Sequence, residues 1–286
     1  MEFRLLDDTD HPAIHATFLR AFSDYAVPAD FDRSTLERLM VRRGTDLSAS
    51  VGAFDDGNMV AVMAVAVREF ERILSAYDVF TGVLPSHRGQ RLAGRMFETV
   101  RGPLVRRGVR RFLLEVIESN TGAVKAYERT GFVTRRQLNC FEVPAGALRP
   151  VGPPDGVIIE RGGGPDWSNW RPWRTWPVSW QNSAASIEAA VEEVRIFFAH
   201  AVGETIGYAI VIPAARDLPQ LVVRPGWRRR GVGTALLAEA TRQMPEEETL
   251  RVINIDATAL PDLAFFARFG EASLPAQREM LLDFGA

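Results

Sequence analysis

Cysteine is nearly missing from this chain: among 286 residues only Cys140 carries a thiol. That excludes an internal disulfide and a cysteine-based metal cluster. Histidine is also scarce. His11, His15, His87 and His200 do not stand at the spacings of metal motifs, so structural roles are expected for them. Charge of one sign is not in excess, with 34 Lys and Arg against 36 Asp and Glu. A net charge of −2 gives no reason to expect nucleic acid or an acidic membrane surface as a partner. Long apolar runs are absent too. Met59–Val67 falls far short of the roughly 20 residues of a membrane span. The opening MEFRLLDD has no basic segment followed by a long apolar one. A cytoplasmic protein with no membrane partner is expected.

An apolar content of 47% with 24% charged residues is ordinary for globular chains, and the length suits about two domains. Phe3–Leu6 can open a sheet, and Asp10 or His11-Pro12 can start a helix running to about Phe22. An aromatic loop with Tyr25 follows, then a helix over Ser34–Arg43. Val51–Phe54 and Val60–Val67 flank Asp55-Asp-Gly57-Asn58, the pattern of a hairpin. Arg135–Val143 reads as a strand pair closing this half. Pro144–Asp155, with Pro144, Pro150, Pro153 and Pro154 and no periodicity, has the composition of a linker.

Residues 78–132 carry the chemistry. Val79–Leu84 is a run of strand formers, stopped by Pro85. Arg88-Gly-Gln-Arg-Leu-Ala93 leads into a helix with Leu92, Met96, Phe97, Val100 and Leu104 at helical spacing. A loop of small residues at a helix start offers unpaired N–H groups, and Arg88, Arg91 and Arg95 add positive charge: a seat for phosphate. Arg111–Ile117 is a strand apolar on both faces, and Asn120-Thr-Gly-Ala-Val-Lys-Ala-Tyr127-Glu-Arg-Thr-Gly131-Phe132 follows it.

The stretch resembles the core of the GNAT acetyltransferase superfamily. That family carries Arg/Gln-x-x-Gly-x-Gly/Ala at its pyrophosphate loop and Asn-x-x-Ala-x-x-x-Tyr-x-x-x-Gly-Phe after the next strand. The resemblance implies acetyl-CoA, pantetheine between two splayed strands, and a tyrosine near the thioester sulfur. The family's middle glycine is Arg91 here, while Ala93 fills the last small position. A side chain at positive φ costs about 1–2 kcal/mol. Charge-assisted bonds to phosphate contribute about 1.5–3 kcal/mol each, so the loop is expected to function.

The pattern returns 140 residues on. Leu221-Val-Val-Arg-Pro225-Gly-Trp-Arg228-Arg-Arg-Gly231-Val-Gly233 overlays the segment from Thr81 to Ala93, and Gly270 overlays Gly131 at an offset of 139. A fixed offset over strand, loop and helix signals a duplicated domain. The expected architecture is α/β (α+β): two tandem GNAT-like domains, each a mixed central sheet flanked by helices. They span residues 1–146 and 156–286, with a linker at 147–155. The second copy has the fuller phosphate loop, but Ala259 replaces Asn120 and Phe266 replaces Tyr127. Phenylalanine neither gives nor takes a proton. Trp167, Trp170, Trp173, Trp176 and Trp180 crowd one stretch. Packing of the second half on the first is the favoured reading for them, ahead of an acceptor-pocket wall.

Aminolysis of a thioester needs a neutral amine, a donor for the oxyanion and a proton for the leaving thiolate. An amine of pKa about 10.4 requires a base or a desolvating pocket. Tyr127 is the expected general acid. Asp78 at the start of the strand and Glu115 inside the next are candidate bases, with water a third. For the cofactor, Arg88, Gly89, Gln90, Arg91, Leu92, Ala93 and Gly94 are expected at the pyrophosphate, Val83 beside pantetheine, and Asn120 orienting pantetheine or the tyrosine's helix. Val223, Arg228, Arg229, Arg230, Gly231, Val232, Gly233 and Thr234 are their counterparts. Two functions follow: an N-acetyltransferase using acetyl-CoA on a primary amine of a small molecule or peptide, or a non-catalytic CoA-binding sensor or scaffold.

Overall fold

A computed structural model describes residues 1–24, 31–148, 151–190 and 194–285; Tyr25 lies outside the described residues. In chain order the elements are β1 (Glu2–Leu5), α1 (His11–Ala21), α2 (Arg33–Arg43), β2 (Val51–Asp55), β3 (Asn58–Phe70), β4 (Ile73–Val83), α3 (Leu92–Arg106), β5 (Arg111–Ile117), α4 (Thr121–Arg129) and β6 (Val133–Pro144). There follow β7 (Ile158–Arg161), α5 (Trp167–Trp170), α6 (Ala184–Glu188), β8 (Arg195–Ala201), β9 (Glu204–Ile212), β10 (Asp217–Val223), α7 (Val232–Thr241), β11 (Thr249–Asp256), α8 (Leu260–Phe266) and β12 (Gln277–Asp283). They form two compact units. One is Met1–Arg136 with Arg278–Ala286, the other Gln137–Gln277.

In the first unit the strand order is β1-β2-β3-β4-β5-β12, with β1 to β4 antiparallel and β4 parallel to β5. Helix α1 begins with Pro12 in its first turn, where a missing N–H costs nothing. The β2–β3 turn takes positive φ at Asp56 and Gly57, as a tight hairpin requires. One face of the sheet buries Met96, Phe97, Val100 and Leu104 of α3 against Val65, Ala76, Phe112 and Leu114. The other buries Ile14, Phe18, Leu36 and Met40 of α1 and α2 against Leu6, Phe54 and Val62. Strand β4 is longer than its apolar run, starting at Ile73, because the antiparallel ladder with β3 extends back to Phe70. That ladder slips at Val79: Val65 pairs with Asp78, but Ala64 pairs with Phe80. Three residues apart, Asp78 and Thr81 belong on opposite faces of a regular strand. The bulge brings both to the α3–α4 face.

The second unit repeats the plan in the order β6-β11-β10-β9-β8-β7, with β10 and β11 parallel and a bulge between Asp217 and Gln220. Its core gathers Leu236, Leu237 and Ala240 of α7 against Ala209, Val211, Leu250 and Val252. Two expectations need correction. Arg135–Val143 is not a strand pair closing the first half. It lies in the single strand β6, which pairs with β11 from Leu138–Asp256 to Pro144–Thr249. Four of the tryptophans pack within their own unit: Trp167, Trp170 and Trp173 with Tyr208, Phe198 and Ile196, and Trp176 against the α7 core. Strands β8 and β9 are apolar on both faces, so the face away from α7 also needs a cover, and these rings supply it.

Candidate active site

Strands β4 and β5 pair only from Ser75–Arg111 to Tyr77–Leu113. Beyond that the strands part, and a cleft of about 1260 Å³ opens between Thr81, Gly82 and Val83 of β4, Ile117 of β5, the loop before α3, and α4. The loop turns through left-handed backbone at Gly89 (φ +80°) and Arg91 (φ +57°). Arg91 is the N-cap of α3 and offers no side-chain cap, so the first amides of the helix are not taken by it. Such amides with the helix dipole favour an anion.

Arg88 lines the cleft, but its guanidinium is held by protein partners. Its Nε donates to Val83 O at 3.3 Å, one Nη to Ala21 O at 2.9 Å, and both Nη atoms to the Asp24 carboxylate at 2.6 and 2.8 Å. Arg88 therefore pins the loop to β4 and to the end of α1, and Arg91 lines the cleft beside it. Ala93 and Gly94 line the cleft. Leu92 borders it while anchoring α3 in the core. Gln90 is exposed and off the lining. Asn120 is the N-cap of α4, its Oδ1 accepting from Ala123 N at 3.1 Å, and it too lines the cleft.

Tyr127 Oη donates to Asp78 Oδ2 at 2.8 Å, and Thr81 Oγ1 donates to the same oxygen at 2.7 Å. Asp78 is 6% exposed and its Oδ1 has no hydrogen-bond partner among the described residues. Burial raises the carboxyl to about 6, against the lowering effect of the Thr81 and Tyr127 hydroxyls and of Arg43. Glu115 lies elsewhere. Leu114 and Val116 point into the α3–α4 core, so alternation sends Glu115 to the opposite face, beside Tyr77. Burial and that carboxylate hold the Tyr77 hydroxyl well above its ordinary value. The two candidate bases are thus on different faces, and only Asp78 meets Tyr127.

In the second unit β10 and β11 pair at Asp217–Arg251 and then diverge, opening a cleft of about 620 Å³. The loop again uses positive φ, at Arg229 (+62°) and Gly231 (+84°). Arg228 repeats the pin: Nε donates to Val223 O at 3.0 Å and Nη2 to Trp173 O at 2.5 Å. Val223, Arg228, Arg229, Gly231, Gly233 and Thr234 line the cleft. Val232 is a core residue, and Arg230 lies over the Trp227 ring at 5.2 Å, off the lining. The positions of Asp78 and Tyr127 are occupied by Leu218 and Phe266, both at this cleft. Asp24 and Thr81 were not anticipated. Asp24 carries no motif, and the Thr81–Asp78 contact depends on a bulge that no spacing announces.

Both units thus share splayed parallel strands with a loop at the helix start beside their open end, and the first adds a hydroxyl–carboxylate pair. A model of the acetyltransferase (GNAT) family matches residues 12–132, and one of the acetyltransferase (GNAT) domain matches residues 192–270. Among solved structures the chain is similar to a tandem GNAT protein from the clavulanic acid biosynthesis pathway, with a TM-score of 0.75 at 14% identity, covering 100% of this chain and 99% of that one. It is similar also to a GCN5-related N-acetyltransferase from Sphaerobacter thermophilus (TM-score 0.72, 17% identity, 100% and 96% covered) and to one from Kribbella flavida (0.60, 16%, 98% and 70%). No curated protein sequence matches. The chain belongs to the GNAT acetyltransferase family, carries two GNAT domains in tandem, and is an acyltransferase. Among the described residues no helix is long and apolar enough to cross a membrane.

Proposed function

We propose that the first unit transfers an acetyl group from acetyl-CoA to a primary amine of a small molecule or peptide, with Asp78 and Tyr127 as a coupled acid–base pair. The observation that carries this is the 2.8 Å hydrogen bond from Tyr127 Oη to a buried carboxyl held near neutrality. The amides from Gly89 to Gly94 and the Arg91 side chain hold the pyrophosphate, and Val83 presents its strand edge to pantetheine. Asn120 fixes α4, and so the tyrosine.

The protons then balance. Asp78, ionised, takes the proton that the amine must lose, directly or through a water. The amine nitrogen bonds to the thioester carbon and the carbon–sulfur bond breaks. Tyr127 gives its proton to the departing sulfur, and protonated Asp78 restores the tyrosine. Glu115, on the other face, has no part in this relay.

In the second unit the same reading assigns CoA to the loop from Arg228 to Thr234 but no chemistry, since Leu218 and Phe266 exchange no protons. Calorimetric titration of acetyl-CoA, with an amine panel assayed for CoA release, tests both units. Tyr127→Phe should bind acetyl-CoA as wild type does while turnover falls about 10²-fold or more. Normal turnover in Tyr127→Phe would refute the pair. Binding without turnover of any amine would favour the scaffold.

A further inference from the structure

The second cleft contains a polar device that the first lacks. Because Arg88 and Arg228 donate to Ala21 O and Trp173 O respectively, Trp173 stands where Ala21 does, and Arg174 where Phe22 does. Gln220 occupies the position of Phe80, 140 residues earlier. The pairings Ala61–Val83 and Gly207–Val223 place Tyr208 at the position of Val62. In the first unit Phe22, Phe80 and Val62 belong to one apolar cluster around Phe18. In the second, Tyr208 Oη donates to Gln220 Oε1 at 2.8 Å, Arg174 Nη2 donates to the same oxygen at 3.0 Å, and Gln220 Nε2 donates to Asn182 O at 2.8 Å.

The fold does not need this network, since three apolar side chains close the same place in the duplicate. Buried polar groups cost free energy unless they are matched. Gln220 and Tyr208 are matched. Arg174 is matched only in part: it also hydrogen-bonds the Tyr208 side chain, but its Nε is buried without a hydrogen-bond partner, and no carboxylate among the described residues forms an ion pair with it. Its guanidinium lies 5.6 Å from the Trp167 ring centroid and lines the cleft with Trp173 and Trp176. The nearby acid, Asp262, accepts instead from Thr175 Oγ1 at 2.8 Å. A half-paired guanidinium, its planar fork backed by aromatic rings, matches a carboxylate.

We propose that the cleft of the second unit binds a carboxylate-bearing ligand whose anion is held by Arg174 on the Gln220–Tyr208 platform. The carboxylate has two possible sources, a free organic acid or the acyl end of a dicarboxylic CoA thioester. The thioester case rests on CoA occupying the Arg228–Thr234 loop, whereas the free-acid case does not.

The test uses the full-length chain, with tryptophan fluorescence and calorimetry as readouts. The probes are succinate, its neutral isostere succinamide, succinyl-CoA and acetyl-CoA. The expected result is that succinate binds and succinamide does not, or that succinyl-CoA binds more tightly than acetyl-CoA by about tenfold to a hundredfold. Arg174→Gln should abolish that preference at an unchanged melting temperature, and Arg174→Lys should keep part of it as a point charge. Succinate binding without any thioester in the second unit would uphold this proposal and remove CoA from that loop. Equal affinities of both thioesters with no response to succinate would overturn it. So would an Arg174→Gln protein, folded, that retains the preference. Should Arg174→Gln fail to fold, Arg174→Lys decides: a weakened preference for the carboxylate probe upholds the proposal, and a preference as strong as that of wild type overturns it.

Discussion

In the proposed relay, Asp78 links stability and chemistry through one proton. Its carboxyl is raised from 3.8 to about 6 by burial. Below about pH 3 it is neutral folded and unfolded and contributes nothing. As pH rises past 3.8 the unfolded chain releases this proton first, so the folded state loses stability until about pH 6 and stays lowered above it. A shift of about two units corresponds to about 3 kcal/mol. Asp78→Asn still accepts from Tyr127 and Thr81, so it should be more stable than wild type at pH 8 by up to about 3 kcal/mol, the two converging near pH 3. Urea denaturation at both pH values measures this. Wild-type turnover should rise through about pH 6 as Asp78 ionises, and Asp78→Asn should lack that limb.

At the level of elements, two equivalent glycines hold their places for different reasons. Gly131, after α4, has φ of +92°, which only glycine adopts freely. Gly270, after α8, is needed for space, since a Cβ there would stand 2.3 Å from the Glu142 carbonyl oxygen of β6. Glu142 and Glu271 exchange backbone hydrogen bonds at that crossing, 2.9 and 3.0 Å long. Gly270→Ala should break this bridge and cost about 2 kcal/mol or more, seen as a lower melting temperature. The loops differ in the other sense. Arg91 holds a left-handed conformation that Gly231 reaches without strain. Gly231→Arg should cost only about 1–2 kcal/mol, because its Cβ meets nothing nearer than Pro154 at 3.8 Å. Thermal melting checks the size of that loss, and acetyl-CoA stoichiometry shows whether the loop still binds.

At the scale of the molecule, each unit includes chain from the other half of the sequence: the first takes Arg278–Ala286 and the second starts at Gln137, within β6. Strand β6 follows the Gly131-Phe132 motif yet pairs with β11, and Arg278–Ala286 belongs to the first unit. Met280 is fully buried in the first unit's core. Glu279, 1% exposed, accepts from Arg135 at 3.1 Å and from Arg136 at 2.7 Å. Burying one methionine contributes about 1.5–3 kcal/mol. Removing one side of a buried ion pair costs about 3–5 kcal/mol more. A fragment ending at residue 146 should therefore lack a cooperative melting transition by circular dichroism, although it contains every residue of the proposed relay. A sharp transition in that fragment would contradict the assignment of β12.

Much of this was legible in the chain itself. The loop before α3 announces itself by small residues ahead of an amphipathic helix, and the duplication by a fixed offset; both are patterns read along the sequence alone. Tyr127 and Asn120 announce themselves by spacing on one helix. Which of Asp78 and Glu115 reaches Tyr127 was not legible, because it rests on a bulge at Val79 that turns one carboxylate toward α4 while strand alternation sends the other away. The replacement of an apolar cluster by Arg174, Gln220 and Tyr208 was hidden for the same reason. Those residues come from three distant segments, and only the packed sheet brings them to one place. Local composition determined the loop, the helices and the repeat, whereas long-range strand pairing decided which side chains share a cleft and which strands complete each core.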